Sequence, residues 1–285
     1  MRIDLHTHSA VSDGTDTPTM LVQRAVEAEL DIIGLTDHDT FDGLLEARTA
    51  AATVGVRVAS GIEISTQAAG RSVHLLGYGC DPHHRPLLDE LARIRVDRTG
   101  RLPAMAAKLS LLGMPLTVAE ITIEAGAAPS LGRPHVADAM VRKGYVKNRQ
   151  EAFDQFLGDD GPAYVGRYAC ELRQALRLVR EARGVAVIAH PWGRGRRSVL
   201  PEAFLTELTF EHGLEGIEVD HNDHDAATRV ELGRLADRLG LIKTGSSDYH
   251  GRGKVDHDLG CNLTDPDAFA EIERRGRARG SQEWD

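Results

Sequence analysis

Two histidines in the first predicted strand constrain this chain more than any other feature. The segment Ile3-Asp4-Leu5-His6-Thr7-His8 is predicted to be extended, and side chains two residues apart on a strand point to the same face. His6 and His8 are therefore expected to aim at one point. Two imidazoles converging near a strand end are the beginning of a metal site, and Asp13 follows in the next loop.

The order of predicted elements is that of an α/β barrel with an interruption. Most of the seven strand-like segments are followed by a helical pattern, and they cover about residues 3–8, 31–36, 56–64, 72–79, 184–189, 214–219 and 241–245. Such alternation predicts a parallel sheet that closes into a barrel. From about 86 to 183 the pattern is almost only helical. We therefore expect a barrel domain at 1–97 and 166–285, with a small all-helical insertion domain at 98–165.

Histidine and carboxylate residues stand at or near the carboxyl end of each predicted strand, the edge where parallel barrels gather catalytic groups. Beyond the first strand these residues are Asp37, His38, Glu63, His74, His190, Asp220, His221, Asp248 and His250. Any one of them is more often a turn or cap residue. The repetition, and the i,i+2 pairs His6/His8 and Asp248/His250, favour metal binding. Five of the six remaining histidines are expected at the surface: His83, His84, His212, His224 and His257.

The number of candidate ligands predicts more than one ion. A single zinc ion needs three protein ligands and a water, whereas nine good candidates of mixed histidine and carboxylate type occur here. This mixture suits two or three divalent ions such as Mn, Fe or Zn, with Mg as a further candidate. Neighbouring cations lower the pKa of a bridging water and neutralise the oxygens of a phosphoryl group.

Composition excludes several classes of protein. The formal charge is −9, from 34 basic and 43 acidic residues, so there is no global basic footprint for duplex nucleic acid. Three widely spaced cysteines favour reduced thiols over a disulfide framework. We see no signal-peptide pattern and no apolar run near the roughly 20 residues of a membrane helix. We expect a cytoplasmic protein without membrane contact, and the pattern does not predict its oligomeric state.

Six short motifs, in order along the chain, resemble those of the PHP (polymerase and histidinol phosphatase) family. They are His6-x-His8, Thr36-Asp37-His38-Asp39, Gly61-Ile62-Glu63, His74-Leu75-Leu76-Gly77, Ala189-His190-Pro191 and Ser247-Asp248-x-His250. The match covers almost the whole chain. The resemblance implies a distorted (β/α)7 barrel, the PHP fold, with a trinuclear metal centre.

The resemblance also implies a ligand set for each ion. The first ion would be held by His6, His8, Glu63 and Asp248. The second would be held by Glu63, His74 and His190, with Glu63 bridging, and the third by Asp13, His38 and His250. Asp37 would either orient a ligand histidine or cap the following turn.

Within the family, the chain is similar to stand-alone phosphoesterases with a helical insertion, which act on nucleotides and RNA 5′ ends. The motif Gly132-Arg133-Pro134-His135 carries this resemblance. Arg133 precedes a predicted helix N-terminus, where guanidinium and free N–H groups bind phosphate; the alternative is a solvated arginine. Two further segments are basic and either attract a polyanion or are simply solvated. They are the helix with Arg93, Arg95, Arg98, Arg101 and Lys108, and the loop with Arg194.

The expected activity is hydrolysis of phosphate monoesters by a metal-activated hydroxide. The expected substrates are a phosphorylated small molecule or nucleotide, such as pAp converted to AMP, and short single-stranded RNA cut 5′ to 3′ from its 5′ phosphate. Asp39, His135 or His221 would protonate the leaving oxygen, and spacing does not choose between them. Arg133, His135 and Arg194 would bind the substrate. The alternatives are a histidinol-phosphate phosphatase and a non-catalytic metal-binding PHP module.

Overall fold

One curved sheet organises the molecule. The computed structural model describes residues 1–284, apart from the side chain of Arg194. The strands are β1 Ile3–Thr7, β2 Ile32–Leu35, β3 Arg57–Ala68, β4 Arg71–Tyr78, β5 Cys170–Glu171, β6 Val185–Ile188, β7 Gly216–Asp220 and β8 Ile242–Gly245. Their order is β1-β2-β3-β4-β6-β7-β8, and β5 pairs with β3. After β8, the Tyr249 carbonyl accepts from His8 N at 2.9 Å, so the sheet nearly closes. The predicted α/β barrel is confirmed.

The prediction of an all-parallel sheet is wrong for β4, which runs antiparallel to both β3 and β6. Only Ala69 and Gly70 connect β3 to β4, and both have positive φ, 48° and 72°. Two residues make a hairpin, whereas a parallel neighbour needs a crossover of roughly a dozen residues or more. The reversed direction matters for the site, because His74 pairs with Ser65 near the start of its own strand. His74 thereby reaches the rim at which the parallel strands end.

Amphipathic helices cover the outside of the barrel. They are α1 Pro18–Glu27, α2 Leu44–Ala51, α3 Arg85–Gly100, α8 Leu172–Glu181, α9 Glu202–His212, α10 Ala226–Leu239 and α11 Pro266–Ala278. Helix α8 shows the cause: Leu172, Ala175, Leu176 and Val179 recur at helical spacing and are all buried. In the described residues, no helix combines the length and the apolar character that crossing a bilayer requires.

A second group of helices lies between α3 and β5. These are α4 Leu102–Leu111, α5 Val118–Ala125, α6 Arg133–Arg142 and α7 Arg149–Ala152, followed by a π-helical turn at Phe153–Leu157. They share one hydrophobic cluster whose members run from Leu102 to Ala163. The long helical stretch expected here divides at Arg101, which ends α3 and precedes α4. The division into domains at 98–165 remains a prediction.

The interior at the rim of the barrel is polar. Asp4, His6, Glu218 and Ser246 are all completely buried there. Burying ionisable groups is unfavourable unless they are paired, hydrogen-bonded or bound to a metal. This polar layer marks the part of the barrel that serves something other than stability.

Candidate metal centre

The nine predicted ligands lie together at one rim of the barrel. Eight of them are buried, and His74 is partly exposed. They come from the loops after β1, β2, β6 and β8 and from the strands β1, β3 and β4. Residues separated by more than 200 positions in the chain therefore meet within a few ångströms.

The Glu63 carboxylate lies in the middle of this group. Its Oε2 is 3.4 Å from His6 Nε2 and 3.2 Å from His8 Nε2. Its Oε1 is 2.8 Å from His74 Nδ1 and 3.4 Å from His190 Nε2. The two oxygens thus face two different sets of imidazoles. This is the geometry of a carboxylate that can bridge two cations.

The first set is completed by Asp248, whose Oδ1 lies 3.6 Å from His6 Nε2 and 3.5 Å from His8 Nε2. The two imidazole nitrogens are 3.0 Å apart. Ligand atoms placed 2.0–2.1 Å from a tetrahedral ion are separated from one another by roughly 3.3 Å. The spacing of these donors therefore suits a common cation.

A third set surrounds Asp13. Its Oδ1 is 3.3 Å from His250 Nε2 and its Oδ2 is 3.7 Å from His38 Nε2. His8 Nδ1 lies 3.7 Å from Asp13 Oδ1, and the His8 and His250 rings stack at 4.1 Å. His38 Nδ1 faces Glu63 Oε2 at 3.1 Å, so the third set adjoins the central carboxylate. His8 and His38 thus adjoin more donors than the family resemblance implies.

Unpartnered nitrogens test whether these residues fit metal ions. The Nδ1 atoms of four buried or nearly buried imidazoles form no aligned hydrogen bond among the described residues: His8, His38, His74 and His190. Those of His38 and His74 nevertheless face Glu63 oxygens at 3.1 and 2.8 Å, an arrangement that suits a shared cation. A buried polar atom without a partner is costly, and each such atom in a native protein calls for an explanation. Imidazole and carboxylate donors of this kind are able to hold divalent metals. The residues present fit a metal centre.

The backbone is strained where it delivers these groups. Asp39, His190 and Asp248 have φ values of 58°, 32° and 52°, in the left-handed region that is unfavourable for residues other than glycine. All three follow a strand at the rim. Strain of this kind persists where the surroundings fix it, and it is concentrated at functional sites.

Electrostatics divide the histidines into two types. Burial lowers the pKa of His8, but hydrogen bonds to Asp248 and Glu63 outweigh it and raise the pKa to about 9. Burial also opposes the charged form of His6, yet Glu218, Glu63 and Asp248 raise its pKa well above the usual value. For His190, burial dominates and lowers the pKa to about 3. Without metal, the acidic neighbours keep the His6–His8 pair protonated at pH 7, with one Nε2 donating to the other at 3.0 Å, and His190 is neutral.

Glu218 is a supporting residue that the sequence did not reveal. Its Oε1 accepts from His6 Nδ1 at 3.0 Å and from Ser246 Oγ, and its Oε2 accepts from His190 N at 2.7 Å. A carboxylate on the far nitrogen of a ligating imidazole fixes the ring and its tautomer. The available signal was one acidic residue inside the otherwise apolar β7 segment Gly216–Val219.

Lys254 is a second supporting residue that the sequence did not reveal. Its ammonium forms an ion pair with Asp248 Oδ2, on the side of the carboxylate that faces away from His6 and His8. The pairing holds the pKa of the Asp248 carboxyl, which burial would raise, well below its usual value.

Asp37 neither orients a ligand histidine nor caps the turn after it. Its Oδ1 accepts from Ser9 N at 2.8 Å and from Ser12 Oγ at 2.6 Å, and its Oδ2 accepts from Ser9 Oγ at 2.7 Å. These bonds hold the loop after β1 in place. The loop carries Asp13, so Asp37 shapes the third ligand set indirectly.

The predicted proton donors occupy different environments. Asp39 accepts from Ser65 and forms an ion pair with Arg98 at 2.8 Å. Burial raises the pKa of Asp39, but Arg98 outweighs burial and the net pKa is below the usual value. Asp39 is therefore ionised at neutral pH, the wrong state for a proton donor.

The two histidine candidates differ in what they face. His221 Nδ1 accepts from Asp223 N at 3.0 Å, so its proton is on Nε2, which lies 3.3 Å from Asp248 Oδ2. His221 thus supports a ligand. His135 Nδ1 accepts from Gly132 N at 3.1 Å, which also places its proton on Nε2. The expectation that His224 and His257 lie at the surface is wrong, because both are buried beside His221.

Arg133, a predicted phosphate-binding residue, is held by contacts inside the helical insertion. Arg133 donates to Asp159 Oδ1 at 2.8 Å and to the Leu157 carbonyl at 2.9 Å. Arg98, on the basic helix α3, is only 6% exposed and pairs with Asp39, so this part of the helix is not a solvated face. The side chain of Arg194 lies outside the described residues.

A buried arginine group extends from these residues. Burial and the neighbouring guanidiniums of Arg98 and Arg133 lower the pKa of Arg167 to about 10 and that of Arg101 to about 9. Burial lowers the pKa of His74, and Arg167 contributes to the shift, so the group lies near a predicted ligand. Within the described chain, no carboxylate oxygen lies at ion-pair distance from Arg167. This concentration of positive charge is suited to an anion.

Comparison with known proteins agrees with this geometry. A family model described as PHP domain matches residues 4–112. The chain is 33% identical over 277 residues to the 3′,5′-nucleoside bisphosphate phosphatase of Chromobacterium violaceum, covering 97% of each. It is 32% identical over 249 residues to the 5′-3′ exoribonuclease of Haemophilus influenzae, covering 87% of this chain and 90% of that one. The crystal structure of a proposed metal-dependent phosphoesterase from Bifidobacterium adolescentis has a TM-score of 0.90 and 35% identity, covering 96% of each chain.

Replacing Glu218→Gln is expected to weaken metal binding about 10–100-fold. The amide would place an N–H₂ donor against either the His6 ring or the His190 N–H, both of which donate to Glu218. Competition with a chelator measures the affinity. Glu215→Gln is the matched control, because Glu215 precedes the same strand and pairs with Arg279 instead. Equal affinities for the two variants would contradict the supporting role.

Metal binding is expected to release protons at pH 7, because the acidic neighbours keep the His6–His8 pair protonated before binding and only neutral imidazole is a ligand. The affinity should rise as the pH rises toward 9 and fall as the solution is acidified. Calorimetry in buffers of different ionisation enthalpy measures the release. A binding enthalpy that does not depend on the buffer would show that these rings are already neutral.

Proposed function

The chain belongs to the PHP family, and from this premise we propose that it hydrolyses terminal phosphate esters of nucleotides. The proposed substrates are a 3′,5′-bisphosphonucleotide such as pAp and short single-stranded RNA with a 5′ phosphate. The phosphatase and exoribonuclease relatives support these two classes. We further propose a cytoplasmic location, consistent with three cysteines that are all free.

The observation that carries the proposal is the position of Glu63 between two sets of imidazoles. We propose two or three ions, of Mn, Fe, Zn or Mg, held by the nine predicted ligands around it. Bound divalent ions would act as Lewis acids toward the phosphoryl oxygens and would make water a better nucleophile. The chain's own contribution is to fix the donors before the substrate arrives. Burial, the ion pairs and the strained backbone at His190 and Asp248 all serve that end.

The arginine group would hold a phosphate of the substrate. Arg98 and Arg133 lie close enough to Arg167 to lower its pKa, and Arg167 in turn acts on His74, so a phosphate beside the metal centre would lie within the field of this group. Arg98 and Arg133 are already oriented by Asp39 and Asp159. Arg167, without such a carboxylate, has its charge available. Guanidinium groups match phosphate oxygens in geometry and remain charged. A substrate with two phosphates would use both the metals and the arginines.

His135 would donate a hydrogen bond to the substrate. Its proton is on Nε2, and burial keeps its pKa below the usual value despite the nearby Asp13. A neutral imidazole is a weak acid but a good hydrogen-bond donor. We therefore favour its predicted role in binding the substrate over that of proton donor. His221 would act through Asp248.

The direct test is hydrolysis by the Mn²⁺-loaded protein. We expect phosphate release from pAp and mononucleotide release from short 5′-phosphorylated RNA. Glu63→Gln should lose both activities. One of the two oxygens, each of which faces its own ligand set, would become an NH₂ group that cannot bind a metal ion, and the bridge would be lost. Histidinol phosphate is included as a third substrate. Turnover of histidinol phosphate that exceeds both others would replace the proposal with the alternative phosphatase.

Arg167→Ala is expected to raise KM for pAp about 10–100-fold, the effect of losing one charged hydrogen bond. Arg173→Ala is the matched control, since Arg173 lies on the nearby helix α8 and pairs at the surface with Glu207. Steady-state kinetics of both variants give the comparison. A KM that is the same for the Arg167 variant and the wild type would remove Arg167 from the phosphate site.

A further inference from the structure

The helical insertion reaches the metal centre through one side chain. Arg149 begins α7, and its guanidinium is mostly buried, with 11% of the side chain exposed. Its Nε and Nη2 donate to the two oxygens of Asp138 on α6, both at 2.6 Å. Its Nη1 donates to the backbone carbonyl of Asp13 at 2.7 Å. One guanidinium thus joins two insertion helices to the loop after β1.

The same guanidinium touches a second loop of the barrel. A Cβ atom added at Gly253 would lie 2.1 Å from Arg149 Nη1, so the arginine packs directly on the turn that follows His250. This turn is tied to the first loop, because Thr15 N donates to the His250 carbonyl at 3.2 Å. Arg149 therefore contacts two of the three loops that supply the third ligand set, those that carry Asp13 and His250.

The Asp13 carboxylate has other neighbours as well: Oδ1 accepts from Ser12 Oγ at 3.4 Å and lies 3.7 Å from His8 Nδ1. Its Oδ2 lies 3.7 Å from His38 Nε2 and its Oδ1 lies 3.3 Å from His250 Nε2. Asp37 holds the earlier part of the loop through Ser9 and Ser12. At Asp13 itself, the carbonyl bond to Arg149 fixes the peptide from which the carboxylate projects.

We propose that Arg149 is a positioning residue for the third metal site, which makes the helical insertion a structural part of the metal centre. Asp138 holds the guanidinium with two bonds, and the guanidinium holds Asp13 in the position from which it shares a cation with His38 and His250. The inference rests on the metal centre of the proposed function. A purely structural tie between insertion and barrel is the competing explanation.

The test is metal binding, measured without substrate. Metal-free wild type and Arg149→Ala are titrated with Mn²⁺ by calorimetry, and bound metal is counted after dialysis at a fixed free concentration. We expect one class of site to weaken about 10–100-fold, as for other outer partners of metal ligands, while the remaining sites keep their affinity. In Arg149→Lys a single ammonium replaces the planar guanidinium and cannot make all three hydrogen bonds. The metal affinity of this variant should therefore lie between that of the wild type and that of Arg149→Ala.

Two further variants separate the explanations. Arg142→Ala is the matched control, because Arg142 lies in the same insertion and its contacts, Glu124 and the Glu120 carbonyl, are both inside it. Its metal binding should equal that of the wild type. Gly253→Ala pushes the guanidinium away without removing it, and it should weaken the same site as Arg149→Ala. This second variant also covers the case in which Arg149→Ala fails to fold.

The outcomes are distinguishable from those of the proposed function. Arg149→Ala and Gly253→Ala variants that bind as many ions as the wild type, with the same affinities, would overturn the inference alone, even if proteolysis shows that the insertion has loosened. Uniform weakening of every site would also overturn it, since a positioning residue for Asp13 acts on one set. A wild type that binds fewer than two ions would overturn the proposed function and the inference together.

Discussion

The structure depends on a buried carboxylate, Glu63, with imidazoles on both of its oxygens. Burying several ionisable groups away from water costs more free energy than an exposed ion pair contributes, unless the groups are hydrogen-bonded, paired or bound to a metal. Histidine protons meet this need only in part here, because four Nδ1 atoms form no aligned hydrogen bond among the described residues. Divalent cations would neutralise Glu63 and bind the imidazole nitrogens that face its two oxygens, which would offset much of this cost. Catalysis would follow from the same arrangement.

The supporting shell shows how the fold meets that condition. Glu218 fixes the His6 ring and the backbone of His190, while Lys254 and His221 hold the outer oxygen of Asp248. Glu218 and His221 come from other parts of the chain than the groups they hold, whereas Lys254 follows Asp248 in the same segment after β8. The hairpin from β3 to β4 has a similar effect, since reversing β4 brings His74 to the shared rim. The positions of the ligands therefore depend on the tertiary structure of the whole barrel.

The barrel and the metal ligands could be predicted from the sequence where the spacing of residues indicates the structure. The convergence of His6 and His8 follows from strand geometry, and the alternation of elements predicts the barrel. Strand geometry does not explain Asp248 and His250, because both lie in the loop after β8, Asp248 has a φ of 52°, and the two face different ligand sets. Glu218 was missed because one acid in an apolar strand has no partner nearby in the sequence. The buried positions of His224 and His257 and the contact of Arg149 with Asp13 depend on tertiary packing. The antiparallel β4 could have been recognised from its two-residue connection.

Anomalous diffraction from crystals of the Mn²⁺-loaded protein tests the central role of Glu63 most directly. Two peaks are predicted about 2.0–2.2 Å from ligand oxygens of this carboxylate, one on each side. The first would lie among His6, His8 and Asp248, and the second beside His74 and His190. A single peak, or peaks of which none contacts Glu63, would contradict the bridging arrangement and the hydrolytic mechanism built on it.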